Sequence, residues 1–148
     1  MLRQLLRALG LGKFPSRERI ALLAEGIRVL DEGVTGWLHY RDVRGPGRRH
    51  IGKYRGFIGA VALTDQRIVA YAFALRVLDL ELDDPRLAEI ECWLDDAARL
   101  HLACDAAIFD ETWSGPMEYR YDTAHAAEIR DGLLDHGAMP RGATGSSA

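Results

Sequence analysis

Cysteine is scarce. Cys92 and Cys104 are the only two in 148 residues, which excludes a disulfide-built scaffold and makes the cytosol the default compartment. No run of 18 or more apolar residues occurs, so no transmembrane helix is expected. Arg3 and Arg7 interrupt the apolar stretch Met1 to Gly10. Without an uninterrupted apolar region or a clear cleavage site, a secretory signal is not expected. Serine is confined to Ser16, Ser114, Ser146 and Ser147. None lies in a G-x-S-x-G setting, so a serine hydrolase has no support.

What remains is an ordinary folding composition, with 48% hydrophobic and 28% charged residues. That balance and length suit one soluble domain with its own core. The net charge of −3 conceals a split. Residues 1–55 hold 12 Lys/Arg against 5 Asp/Glu, while residues 56–148 hold 7 against 17. Such asymmetry marks either an interaction surface or two halves that neutralise each other on folding.

Along the chain, Leu2, Leu5, Leu6 and Leu9 recur at helical spacing around Arg3 and Arg7, a short amphipathic basic helix. Its leucines either dock on the chain's own core or serve as an interface with a partner or membrane. A second helix is expected from Ser16, as N-cap, to about Leu30, with Ile20, Leu23, Ile27 and Leu30 on one face. The period then changes. Strands are expected over Val34–Val43, from about Ile51 or Tyr54 to Leu63, over Ile68–Phe73 and over Val77–Leu82. Arg44-Gly45-Pro46-Gly47-Arg48-Arg49 reads as a loop, and Thr64-Asp65-Gln66-Arg67 as a tight turn. The second and third strands are apolar on both faces, which places them mid-sheet or under a helix.

Two further strands follow around Ile90–Leu94 and Leu100–Ile108. Matching their apolar faces pairs Leu94 with Leu100, Cys92 with Leu102 and Ile90 with Cys104. The cysteines become diagonal neighbours, too far apart for an unstrained disulfide. Two buried, reduced, poorly nucleophilic thiols are expected. A seventh strand spans about Pro116–Tyr121. Asp122 or Thr123 then caps a helix over Ala124–His136 with Ala126, Ile129 and Leu133 as its apolar stripe, and Gly137 ends it. The tail from Ala138 reads as disordered.

Seven strands followed by one helix, with the hairpin Gly59-Ala60-Val61-Ala62-Leu63-Thr64-Asp65-Gln66-Arg67-Ile68-Val69, resemble the bacterial PH-like (GRAM-like) domains. The resemblance implies an α+β, PH-like architecture: a seven-stranded antiparallel curved sheet or partly open barrel with a C-terminal helix, here preceded by two N-terminal helices. The divisions expected are an N-terminal helical extension over 1–32, the PH-like domain over 33–137 and a disordered tail over 138–148. The family implies little chemistry; its members are mostly binding modules for lipids, peptides or proteins.

The stretch Arg41–Arg55 is the sharpest candidate site. Arg44, Arg48, Arg49, Lys53 and Arg55 stand there with Asp42 as the sole acid. In lipid-binding members of the resembled family this connection contacts phosphate headgroups, through a pattern similar to Lys53-Tyr54-Arg55-Gly56-Phe57. Guanidinium groups suit bidentate phosphate contacts. The competing reading is a solvated charged loop paired with the acidic second half. Gly47 to Lys53 also fits G-x-x-x-x-G-K, but Tyr54 replaces the required Ser or Thr and a strand follows instead of a helix, so nucleotide hydrolysis is rejected. His125, Glu128 and His136 lack a second converging cluster, so no metal is expected. Asp110, Glu111 and Trp113 read as a turn. Trp37 and Trp93 read as packing or interface residues. No catalytic residue and no cofactor is expected.

The reading is therefore a cytoplasmic, non-enzymatic binding module, acting through protein–protein interaction or self-association. The alternatives are peripheral binding of anionic lipid through the 41–55 segment and a small-molecule enzyme or carrier using the barrel mouth. Nucleic acid is disfavoured by the overall acidity.

Overall fold

The computed structural model describes residues 5, 10–108 and 110–141. Helix α1 (Ser16–Ala24) leads into strands β1 (Ile27–Gly45), β2 (Arg48–Thr64), β3 (Arg67–Ala72), β4 (Leu75–Glu81), β5 (Glu91–Leu94), β6 (Leu100–Asp105) and β7 (Pro116–Tyr121). Helix α2 (Ala126–Asp135) closes the order. The strands form one antiparallel sheet in the order β4-β3-β2-β1-β7-β6-β5. Its two ends are not hydrogen-bonded to each other, yet they curl together. Ala70, Val77 and Leu78 from one end and Ile90, Leu102 and Tyr119 from the other line a shared void of only about 10 Å³. The result is a curved half-barrel with a helix on its apolar side.

The double-sided apolar pattern of β2 and β3 has a direct cause. Val61, Leu63 and Ile68 face the main core with Tyr121, Ile129 and Leu133. Ala60, Ala62 and Val69 face the other way, beneath Phe14 and Leu22. Helix α1 thus lies across the outer face of the β2–β3 hairpin, while α2 fills the concave side. Small residues at 60 and 62 let α1 approach the sheet closely.

A charged clamp holds α1 in place. Glu25, just past its end, accepts from Arg67 Nε and Nη2 at 2.8 Å each. Arg67 Nη1 also reaches Asp79 at 3.1 Å. The Arg67 bonds hold the Glu25 carboxyl below the usual range despite partial burial. At the turn itself, Thr64 Oγ1 accepts from the Gln66 and Arg67 amides at 3.1 and 3.0 Å. The side-chain-to-backbone turn expected at Thr64–Arg67 is thus present.

Several expectations are revised. The second helix ends at Ala24 instead of Leu30. Gly26, at φ +86, turns the chain, and Ile27 and Leu30 belong to β1. The face expected for α1 also differs: Leu22 is fully buried, whereas Ile20 and Leu23 are exposed. Pro15, not Ser16, is the N-cap, with no side-chain capping bond. The first expected helix, Leu2–Leu9, lies outside the described residues except for Leu5, which is helical and exposed. The early end of α1 follows from β1, whose apolar residues gain more from a 19-residue strand than from another helical turn.

At the other terminus the expectations hold more closely. Ala126, Ile129 and Leu133 are buried. The helix closes on Gly137, at φ +109, with Ala138 N bonded to Leu133 O and Gly137 N to Leu134 O. That pair of bonds is a Schellman motif. Thr123 Oγ1 accepts from the His125 amide two residues on, the bond expected of a cap there, and its hydroxyl donates to Asp31 at 2.7 Å; the regular helix begins only at Ala126, with His125 as its N-cap. Met139, placed in the tail by sequence, bonds to Ile90 and Cys92 and covers the β5 edge. Residues 142–148 lie outside the described residues. The β5–β6 register is the expected one, with Leu94 opposite Leu100 and Cys92 opposite Leu102. Both cysteines are free, Cys104 only partly buried, and burial pushes each thiol up to about 12.

Gly59 lies opposite Ala72 in the β2–β3 ladder, and a Cβ there would collide with the Tyr71 carbonyl. Gly59→Ala should therefore cost about 1–3 kcal/mol in a urea unfolding titration. An unchanged midpoint would contradict this backbone approach.

Candidate interaction surface

β1 and β2 stay paired to their tip, Gly45 opposite Arg48, joined by Pro46 and Gly47 alone. The expected loop over 41–55 is therefore a two-stranded arm. Pro46 and Gly47 form the turn, Gly47 at φ +66, while Gly45, Gly52 and Gly56 lie in the paired strands. The run of charged and glycine residues beyond it hides the alternation that marks a strand.

The arm outruns its neighbour. β3 pairs with β2 only from Gly59 to Leu63. One further bond, Phe73 N to Ile58 O at 3.0 Å, ends the ladder. From Arg48 to Phe57, β2 is paired on the β1 side only among the described residues.

The arm's two faces differ. On one, Tyr54 lies opposite His39 with the rings stacked at 4.0 Å and 6°. Beside them Trp37 lies over Gly56, its ring 4.0 Å from where a Cβ would stand. On the other face, Lys53 is opposite Tyr40 and Arg55 opposite Leu38. The Arg55 guanidinium rests 4.4 Å above the Phe73 ring. Tyr54, Ile51 and Trp37 are 63%, 59% and 45% exposed, among the most exposed large apolar side chains described.

The sequence-selected residues divide into two groups. Arg44 and Arg49 are cross-strand neighbours that share Asp42. Arg49 makes two bonds to it, at 3.0 and 3.2 Å, and Arg44 stands at 3.8 Å. The Arg49 bonds lower the Asp42 carboxyl. Arg48, Lys53 and Arg55 are exposed and make no ion pair among the described residues. Among the described residues the acidic half supplies the 41–55 segment with one ion-pair partner, Glu118, which Arg41 reaches at 3.1 Å. Gly47 and Gly52 lie in a hairpin, so the G-x-x-x-x-G-K run has none of the strand–loop–helix context a phosphate loop requires.

Sequence reasoning missed the row this arm joins. Reading across the strands, Trp37, Arg120, His101 and Trp93 are successive partners. So are Tyr54, His39, Glu118 and Ala103. Trp37, His39, Tyr54, Glu118 and Arg120 surround an open groove of about 440 Å³. Below it, His101 is gripped from both sides, by Glu118 at 2.8 Å and Asp95 at 2.7 Å, with Trp93 stacked on its ring at 4.9 Å. The alternation of Arg99, His101 and Asp105 is visible in sequence, but Glu118 and Asp95 stand outside it. The convergence of His101, Glu118 and Asp95 depends on strand order, which is not legible there. Trp113, expected in a turn, stacks on His50 and fills the space above Gly45.

Burial alone would lower His101, but its bonds to Glu118 and Asp95 outweigh that and raise it. Burial likewise opposes ionisation of Asp95 and Glu118, yet both are held low, by His101 first and then by Arg99 and Arg41 respectively. The raised histidine contributes stability below its unfolded value of about 6.5, lost as pH rises through the folded value. The lowered carboxylates contribute above about pH 4, lost as pH falls. His39 acts oppositely, since burial and Arg41 lower it. Comparison with His101→Gln isolates the clamp. The wild type should lose more melting temperature than His101→Gln between about pH 6 and about pH 9. Parallel profiles would refute the charged clamp.

Comparison with family models, curated proteins and solved structures finds no match. Function therefore rests on geometry. No helix among the described residues is long and apolar enough to cross a membrane.

Proposed function

We propose that the chain is a non-catalytic interaction module of PH-like architecture that docks a protein partner carrying acidic side chains on the β1–β2 arm. The observation that supports this most directly is the composition of the arm. Trp37, Ile51 and Tyr54 are exposed beside Arg48, Lys53 and Arg55, which have no counter-ions among the described residues. Tryptophan, tyrosine and arginine are the side chains that dominate binding energy at protein interfaces. An acidic partner would supply the charge that the arm lacks and would be steered to it. The seven-strand order and closing helix agree with the PH-like reading of the sequence.

An anionic membrane would meet the same cations. The aromatic groove favours a protein. Trp37 lies over Gly56 and the His39 and Tyr54 rings stack on each other, so they wall a groove instead of protruding as wedges among headgroups. Photocross-linking in cells that naturally carry the chain separates the two. A photoreactive residue replacing Tyr54 should yield a protein adduct of discrete mass, lost when Arg48 and Lys53 become Glu. The same residue replacing Asp131 on α2 should yield none. Lipid adducts in place of protein would transfer the site to the membrane reading, and no adduct at position 54 would remove the arm as a docking surface.

A further inference from the structure

The exposed edge of the arm suggests how a partner is held. Ile58 turns its carbonyl toward β3, where Phe73 N meets it at 3.0 Å. Backbone groups alternate sides along an antiparallel strand. Gly56 and Tyr54 therefore present their N–H and C=O groups to the same edge, where β3 has already ended. Gly56 has no side chain to guard that edge, and both residues are exposed. An unpaired edge is a template for another strand.

We propose that the partner adds a strand to the β2 edge at about Lys53–Phe57, as an extended segment in which acidic and apolar residues alternate. This rests on the proposed docking role of the arm and deepens it. The alternation follows from the two faces. An added strand would set every second side chain on the face of Lys53 and Arg55, where carboxylates meet cations without counter-ions. The intervening side chains would fall on the face of Tyr54 and Trp37, where apolar or aromatic groups are favoured. Beyond this stretch Gly52, at φ +61, interrupts regular extended geometry and sets the outer limit of the added strand.

The test uses the full chain, isotopically labelled, and an end-capped peptide of sequence Thr-Val-Glu-Tyr-Glu-Val-Thr. Two controls accompany it. One is the same peptide N-methylated at alternate amides on its pairing edge. The other has the same composition with its glutamates in one block. The alternating peptide should bind, and hydrogen exchange at the Tyr54 and Gly56 amides should slow. N-methylation should weaken binding at least about tenfold, the effect of losing one or two edge hydrogen bonds. The blocked sequence should also bind more weakly.

Equal binding of the methylated peptide, without protection at Tyr54 and Gly56, would overturn strand addition while leaving the arm as a side-chain docking surface. No binding of any peptide up to about 1 mM would overturn it too. The cross-link at position 54 would then decide separately whether docking survives.

Discussion

Residues Gly36–Tyr40 of β1 carry ladder partners on both edges, β2 on one and β7 on the other. Every other strand reaches the core through this seam. β3 and β4 hang from β2, while β6 and β5 hang from β7. The seam needs Gly36, because a Cβ there would collide with the Arg120 carbonyl and the Phe57 ring. Phe57 in turn lies within 6.2 Å, centroid to centroid, of Tyr119 and Tyr121 across the interior. One strand therefore fixes both the curvature of the sheet and the aromatic centre of the core. The arm is the same strand continued past the point where its neighbours stop.

That continuity separates the two roles of charge. Arg67, Glu25 and Asp79 lie in a sheltered clamp where each charge has its partners, and they serve the fold. His101, Asp95 and Glu118 do likewise beneath the groove. The cations of the outer arm are beyond the reach of the acidic half, whose carboxylates are engaged in other contacts or lie elsewhere. The excess of basic residues before position 55 is thus only partly neutralised by folding. An exposed charge without a partner adds almost nothing to stability, so its cost or benefit appears only on association.

How much of this is legible in the sequence follows from the range of the forces involved. The β5–β6 register can be read because period-2 alternation is local and one face is buried. The Thr64 turn can be read because its hydroxyl bonds amides two and three residues on. The apolar stripe of α2 and its closure at Gly137 are local for the same reason. The end of α1 is not legible, since Ile27 and Leu30 fit a helical period as well as a strand. Only the distant pairing of Ile27 with Thr64 and Leu30 with Ala62 decides between them. The arm reads as a loop because charge and glycine obscure its alternation, although the cations selected there do all fall on it. The His101 clamp joins residues of β6, β7 and the β5–β6 turn, and no local pattern encodes that meeting.

An exposed strand edge invites indiscriminate pairing, and the arm carries features that oppose it. Lys53 and Arg55 stand at the edge, so a second copy of the arm would bring like charges together. Gly52 breaks the extended geometry toward the tip, which leaves only a short stretch for pairing. These same features sharpen selection. A strand with carboxylates on one face removes the repulsion and supplies the missing counter-charge, whereas a neutral or basic strand does neither. Specificity here is a difference between partners, and the arm obtains it as much by rejecting its own kind as by attracting another. The positive charge that keeps the edge unpaired in the free molecule is also what defines the strand able to pair with it.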